Sequence, residues 1–126
     1  MLRLSILLVP VFVLFFTNAI AADLENGKKL FGRCKACHSI EEGGKNKIGP
    51  NLWGVLGSVA GTNTSDYKYS KALIQFGEEG GKWDNETMTS WLKNPKKLVK
   101  KSKMIFPGLK KDTELIDIIA YLESNG

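Results

Sequence analysis

Apolar and small side chains recur near the helical period in three segments, and each segment follows a residue suited to a helix N-terminus. These N-cap candidates are Asp23, Asp84 and Asp112. The second predicted helix ends at Asn94 because a proline follows it. The apolar faces are Leu24, Gly27, Leu30, Phe31 and Cys34; then Met88, Trp91 and Leu92; then Leu115, Ile118, Ile119 and Leu122. The pattern predicts an all-α fold with about three main helices.

The segments between these helices lack helical periodicity. Residues 48–57 contain three glycines and a proline, which favour turns with apolar side chains folded inward. Residues 58–81 are polar and glycine-rich, and we predict no helix there. Residues 96–101 are predicted to form one helical turn. Loops as long as residues 58–81 are uncommon in compact domains unless they wrap around something, so we expect them to enclose a sizeable group.

The N-terminal segment has the features of an export signal. Arg3 supplies a positive charge, and residues 4–16 are almost wholly apolar. The segment then ends in the small-x-small pattern that signal peptidase cuts. We predict that residues 1–22 are a signal peptide cleaved after Ala21 or Ala22.

An uncleaved membrane anchor is the alternative to a signal peptide. The apolar run is shorter than the roughly 20 residues that cross a bilayer, and Pro10 interrupts it. Cleavage would leave residues 23–126 as one domain in the periplasm. In such an oxidising compartment, thiols tend to be bridged or ligated rather than free.

Basic side chains outnumber acidic ones, 18 to 13, which gives a formal net charge of +5. They form either an ordinary solvated surface or a face that steers the protein to an acidic partner. Nucleic acid fits poorly, because Arg33 is the one arginine after residue 22 and basic residues do not alternate with aromatic ones. The lysines crowd one region, comprising Lys93, Lys96, Lys97, Lys100, Lys101, Lys103, Lys110 and Lys111.

The two cysteines and the single histidine of the chain lie in one motif, Cys34-Lys35-Ala36-Cys37-His38. Cys-x-x-Cys-His is the spacing of c-type haem attachment. Two thiols on one helical turn reach the two vinyl groups on one porphyrin edge, and the next residue is then held beneath the iron. The motif therefore predicts a covalently bound haem with His38 as one axial ligand.

Three other roles are compatible with the motif by itself. A closed zinc site needs four ligands, commonly in two separated pairs, and the sequence has no second pair. A thioredoxin-like redox pair lies near a strand-helix-strand pattern, which is missing here. A disulfide between Cys34 and Cys37 leaves His38 without a role. Haem attachment accounts for all three side chains.

The sixth ligand of the iron separates an electron carrier from a catalyst with an open position. No second histidine exists, so a methionine thioether is the remaining soft ligand, and Met88 and Met104 are the candidates. Met88 has the spacing of a helical core residue. Met104 lies in a predicted loop that can place its sulfur opposite His38, so we favour it, with plain packing as the alternative. An iron-bound histidine also donates its other ring hydrogen, and the Pro50 carbonyl is the candidate acceptor.

Over nearly all of residues 23–126 the chain resembles the class I c-type cytochromes, specifically the mitochondrial cytochrome c and bacterial cytochrome c2 group. The stretches that carry the resemblance are GKKLFGRCKACH, GPNLWGVLG, WLKNPKKLVKKSKMIFPGLKK and DIIAYL. The resemblance implies the small cytochrome c fold, in which helices and loops wrap around one covalently bound haem c. It also implies a soluble, monomeric carrier of single electrons between membrane complexes, from a bc1-type donor to an oxidase or a reaction centre.

The resemblance further implies roles for individual residues. Cys34 and Cys37 would carry the thioether bonds, His38 and Met104 would be the axial ligands, and the Pro50 carbonyl would hold the histidine ring. The other implied roles are propionate hydrogen bonds from Tyr69, Trp83 and Ser102; a helix crossing at Gly27, Phe31, Ile118 and Tyr121; and a docking ring of Lys35, Lys47, Lys96, Lys97, Lys103 and Lys110.

The chain departs from the family pattern in three places. Ser58 stands where an arginine often lies near the inner propionate. Trp91 stands where a tyrosine commonly donates to the ligand sulfur, and an insertion before Trp83 lengthens the lower loop.

Two other functions stay open from the sequence. In a peroxidase-like haem enzyme, Met104 would have to leave the sixth coordination position of the iron. The sequence also offers no distal histidine or arginine to act on a bound oxygen ligand. A thiol-disulfide protein would fold without cofactor, but about a hundred residues with a long wrapping loop would then have a thin core.

Overall fold

The computed structural model describes Val13 and residues 20–126. This part of the chain contains no strand, only an isolated bridge between Val59 and Lys82. The predicted all-α fold is confirmed. Its helices are α1 (Leu24–Phe31), α2 (Lys71–Glu78), α3 (Asn85–Lys93), α4 (Pro95–Leu98) and α5 (Asp112–Glu123).

Most of the predicted signal peptide, residues 1–22, lies outside the described residues. Among the described helices, none has both the length and the apolar character needed to span a membrane.

Side chains cap the first helix and the third as predicted. Asp23 accepts a hydrogen bond from the amide of Asn26 at 3.0 Å, and Asp84 accepts one from Thr87 at 2.8 Å. Such bonds satisfy amides that have no partner inside the helix. The cap predicted for α5 is wrong: Lys111 is the N-cap, without a side-chain bond, and Asp112 is the first helical residue.

The prediction that residues 58–81 contain no helix is also wrong, because α2 lies within them. Ser70 caps α2 by accepting from the amide of Leu73 at 3.2 Å. A glycine in the last turn of α2, Gly77, lowers the intrinsic helix propensity of this short segment. A Cβ at Gly77 would collide with the backbone of Ala60, so the glycine allows α2 to pack closely there. The predicted turn over residues 96–101 is shorter, at Pro95–Leu98.

The crossing of α1 and α5 occurs at the residues that the family resemblance implied. A Cβ built on Gly27 would lie 2.7 Å from the Cβ of Tyr121, so only glycine permits this approach. The rings of Phe31 and Tyr121 have centroids 5.5 Å apart, and Phe31 and Ile118 are each 1% exposed. Because the cysteine motif follows directly after α1, this crossing also fixes the position of the motif.

Candidate functional site

A cavity lies between the helices and the long loops, and it measures about 1240 Å³ with its opening to solvent included. Cys34, Cys37 and His38 line it, and so does Met104. The fold therefore brings the four side chains predicted to hold the haem to one cavity. Much of the remaining lining is apolar and includes Leu52, Val55, Leu73, Trp83, Met88, Trp91 and Leu92.

The cysteine motif forms tight turns that continue from the end of α1. The amide of Cys34 donates to the carbonyl of Phe31 at 2.8 Å. The amides of Cys37 and His38 both donate to the carbonyl of Cys34, at 3.0 and 2.9 Å. No disulfide joins Cys34 to Cys37. The turns bring the two thiols and the imidazole to the cavity wall without any long connecting segment.

The following loop holds the His38 ring. The Nδ1 atom of His38 lies 2.8 Å from the carbonyl oxygen of Pro50, in position to donate to it. The amide of Gly49 donates to the carbonyl of Cys37 at 2.7 Å, which ties this loop to the motif. A Cβ on Gly49 would lie 2.7 Å from Nδ1 and 2.8 Å from Nε2 of His38. The loop therefore packs its backbone against the ring, and Nε2 is the nitrogen left for a metal.

The environment of His38 favours its neutral form. Burial lowers the pKa of His38 from 6.5; the charge of Lys47 lowers it too, while the hydrogen bond to Pro50 acts in the opposite direction. The imidazole is therefore neutral near pH 7, with a proton on Nδ1 for Pro50 and a lone pair on Nε2.

The thiol of Cys34 has a poor environment for disulfide exchange. Burial raises the pKa of Cys34 from 9.0 to about 11, although the charge of Arg33 opposes the shift. Reactive exchange cysteines have lowered pKa values, because the thiolate is the nucleophile. The burial of Cys34 is therefore unfavourable for a thiol-disulfide function. Within residues 20–126, no cluster of three His, Cys, Asp or Glu side chains is arranged to bind a metal ion, so a closed zinc site is not formed either.

The two methionine candidates both reach the cavity, from different elements. Met88 lies on α3, is 4% exposed, and belongs to the hydrophobic core. Met104 is partly buried and lies in the loop between α4 and α5. The amide of Ser102 donates to the carbonyl of Val99 at 3.1 Å near one end of that loop, and the amide of Leu109 donates to the carbonyl of Leu92 at 2.9 Å near the other.

The polar residues predicted to bind a propionate also line the cavity. Ser102 is 4% exposed, and its Oγ is the one buried side-chain polar atom in the described part of the chain that has no hydrogen-bond partner. Leaving such a group unpaired costs about 1 to 3 kcal/mol. Tyr69 accepts from the amide of Thr64 at 3.1 Å, its hydroxyl also lies 3.4 Å from the Thr64 hydroxyl, and Trp83 is buried. The unpaired hydroxyl and the apolar walls fit a large cofactor with a polar edge.

Several of the lysines predicted to form a docking ring donate to backbone carbonyls. Lys96 bonds to Ser102, Lys103 to Lys68 at 2.7 Å, and Lys110 to Lys93 and Pro107. Lys47 bonds to the carbonyl of Lys35. Lys35 and Lys97 are exposed. Four of the six lysines therefore contact backbone carbonyls at the protein surface.

Sequence reasoning missed a group of polar side chains in two loops of the site. Asn51 is 5% exposed, and its side chain donates to the carbonyls of Glu41 and Gly44. Other contacts join residues 41–53 to residues 63–69. A cluster of Asn and Asp near a glycine-rich turn signals a local turn, but it does not signal that two loops bond to each other.

Comparison with known proteins gives a consistent result along the chain. A family model described as Cytochrome c matches residues 24–126. The chain is similar to cytochrome c2 of Afifella marina, with 45% identity over 98 residues that cover 78% of each protein. It is also similar to cytochrome c of Chlamydomonas reinhardtii, with 45% identity over 109 residues, 86% of this chain and 94% of that protein. Among solved structures, cytochrome cH from Methylobacterium extorquens has 43% identity and a TM-score of 0.75, covering 82% of this chain and 99% of that one.

Proposed function

The chain belongs to the cytochrome c family, and from that membership we propose that it shuttles single electrons between membrane redox complexes. It is a class I c-type cytochrome, an electron carrier and not an enzyme, with one covalently attached haem c. The proposed donor is a complex of the cytochrome bc1 type, and the proposed acceptor is an oxidase or a photosynthetic reaction centre.

We propose thioether bonds at Cys34 and Cys37 and axial ligation by His38 and Met104. When bound, the haem supplies an iron that alternates between Fe(III) and Fe(II). The protein contributes fixed ligands: the contacts of Gly49 and Pro50 with the His38 ring hold it in one orientation. A ligand held in this way needs little rearrangement when the iron changes charge.

The walls of the cavity have two proposed roles. The apolar side chains exclude water and give a low dielectric around the iron, which contributes to its reduction potential. At the polar edge, Ser102, Tyr69 and Trp83 would donate to a propionate. Ser102 has the clearest support, since its buried hydroxyl has no other partner in the described part of the chain.

The proposed docking surface consists of lysines, and the partner would present an acidic face. Complementary charge of this kind accelerates encounter more than it tightens binding. It also makes the encounter sensitive to salt. The exposure of these lysines supports the assignment. The surface comprises Lys35, Lys47, Lys96, Lys97, Lys103 and Lys110.

We further propose that the protein is monomeric and acts in the periplasm. Residues 1–22 would be the export signal, cleaved after Ala21 or Ala22. The positive Arg3 and the apolar run after it support this assignment.

The observation that carries the proposal is the single cavity lined by the cysteine motif and Met104. The test is the absorbance spectrum of oxidised holoprotein carrying Met104→Leu, with Met88→Leu as the matched control. Both changes conserve volume and remove a thioether sulfur. The near-infrared sulfur-to-iron band should disappear only in Met104→Leu. Loss of the band only in Met88→Leu would mean that Met88, and not Met104, is the sulfur ligand. A wild-type protein with a high-spin spectrum would contradict the carrier function.

A further inference from the structure

Two loops near His38 are joined by a set of side-chain hydrogen bonds that we call the loop seam. It is formed between residues 46–53 on one side and residues 63–67 on the other. The seam is distinct from the contacts that touch the ring itself. The side chains that form it are Asn46, Asn63, Thr64, Asp66 and Tyr67.

Asn46 lies at the centre of the seam and bonds in both directions. Its Oδ1 accepts from the backbone amide of Asn51 at 2.8 Å, within its own loop. Its Nδ2 donates to Oδ1 of Asp66 at 2.9 Å, in the opposite loop. The orientation of this amide follows from its partners, since a backbone N–H only donates and a carboxylate only accepts. Asn46 thus joins the loops with both halves of one side chain.

Two more side chains cross the seam close to Gly49 and Pro50. The hydroxyl of Tyr67 donates to the carbonyl of Ile48 at 2.8 Å. The side chain of Asn63 donates to the carbonyl of Asn51 at 3.1 Å and to that of Trp53 at the same distance.

These bonds bracket the two residues that contact the histidine. Gly49 packs against the His38 ring and Pro50 accepts from it. The residue before this pair and the residue after it are each held by the opposite loop. A shift of residues 63–67 would therefore move the backbone that orients the ring, because both ends of the short segment are attached to it.

We propose that the loop seam, with the Asn46 and Asp66 pair at its centre, is the positioning device for His38. The proposal rests on the proposed function in that His38 is the axial ligand. Asn46 and Asp66 are positioning residues, which act on the ring through the carbonyl of Pro50. The orientation of the imidazole is thus set by a loop that is distant in sequence from the cysteine motif but lines the same cavity.

The test uses charge placement at this pair in the holoprotein. Asn46→Asp keeps the acceptor for Asn51 but puts two carboxylates face to face, which separates the loops. Asp66→Asn preserves an amide partner for Asn46 and should behave like the wild type. The double variant Asn46→Asp with Asp66→Asn restores a donor opposite an acceptor, with the roles exchanged. Ile119→Ala is the control for general destabilisation, because Ile119 is buried on α5 and does not line the cavity.

The measurement is the solvent exchange of the His38 Nδ1 proton, followed by NMR in the reduced, diamagnetic holoprotein. Asn46→Asp removes the hydrogen bond between Asn46 and Asp66. Because one hydrogen bond contributes about 1 kcal/mol, the exchange should become about tenfold faster. The double variant should return to the wild-type rate, and Ile119→Ala should leave it unchanged relative to the exchange of core amides. Unchanged exchange in Asn46→Asp, no recovery in the double variant, or equal acceleration by Ile119→Ala would each overturn the proposal.

Failure of the proposed function is visible in the wild type before any variant is compared. A His38 ring bound to haem iron has its resonances displaced by the ring current of the porphyrin. Their absence would contradict the ligand assignment, whereas their presence with unaltered exchange in Asn46→Asp would contradict only the role of the seam.

Discussion

The carboxylate of Asp117 on α5 accepts a hydrogen bond of 2.7 Å from the side-chain amide of Asn26 on α1. Its other oxygen accepts from the backbone amide of Asp23 at 2.8 Å. Asp23 in turn caps α1. The carboxylate therefore fastens the start of the first helix to the last helix, and the bond from Asn26, followed by that from Asp23, lowers the pKa of Asp117 from 3.8.

Asp117→Asn should destabilise the holoprotein at pH 7, and the loss of stability should be smaller at acidic pH. A carboxylate whose pKa is lower in the folded state contributes stability above its unfolded value, and that contribution is lost as pH falls through the folded value. The difference in Tm between wild type and variant should therefore narrow below pH 3.8. Thermal unfolding at a series of pH values measures this. Glu123→Gln, an exposed change on the same helix, should give no such pH dependence.

Gly49→Ala should disturb the His38 ring directly. The added methyl group would lie 2.7 Å from Nδ1, so the ring or the loop has to move. We expect a loss of about 1 to 3 kcal/mol in unfolding free energy, typical of overpacking, together with a changed ligand-field spectrum.

Gly43→Ala is the matched control for Gly49→Ala. Gly43 has φ +65° and nothing within 4 Å of its Cβ position, so alanine there adds backbone strain without a collision. Strain of this kind costs about 1 to 2 kcal/mol. If the two variants change the spectrum alike, the packing of Gly49 against the imidazole does not orient it.

Ser102→Ala should lower the unfolding free energy of the holoprotein by about 1 kcal/mol, the usual worth of one hydrogen bond. Removing a donor to a propionate should also raise the pKa of that propionate. The pH range over which the reduction potential changes should then move to higher pH. Ser124→Ala is the control, because the Ser124 hydroxyl donates to the carbonyl of Tyr121 at 2.8 Å and does not line the cavity. It should affect stability alone. A more stable Ser102→Ala protein would mean that the hydroxyl stays unpaired in the holoprotein.

Replacing Lys35 and Lys97 together by Gln should slow electron transfer to an acidic redox partner by up to about tenfold at low ionic strength. The difference from wild type should shrink as salt is added, because exposed charges are then screened. Stopped-flow kinetics over a range of salt concentrations tests this. Replacing Lys71 and Lys82 together by Gln removes the same two charges from exposed positions outside the proposed docking ring and should change the rate little. Equal effects of both changes would point to net charge instead of a docking surface.

Local features of the fold followed from the sequence where they depend on neighbouring residues. Asp23 and Asp84 were recognisable as caps because capping acts within one turn. The helix α2 was missed because Gly77 weakens its local signal, while packing against Ala60 supports it. The N-cap of α5 lies one residue before the predicted one, because it is Lys111 and not Asp112.

The sequence by itself determined the all-α fold, the cysteine motif and the methionine candidates, because helical periods and ligand spacings are short-range patterns. Only the tertiary structure decided that Gly49 packs against His38, that Asn46 joins two loops, and that Asp117 fastens α1 to α5. Each of these contacts connects residues that are distant in sequence or separated by turns. Their formation depends on how the loops close around the cavity, so the periodicity of the sequence cannot predict them.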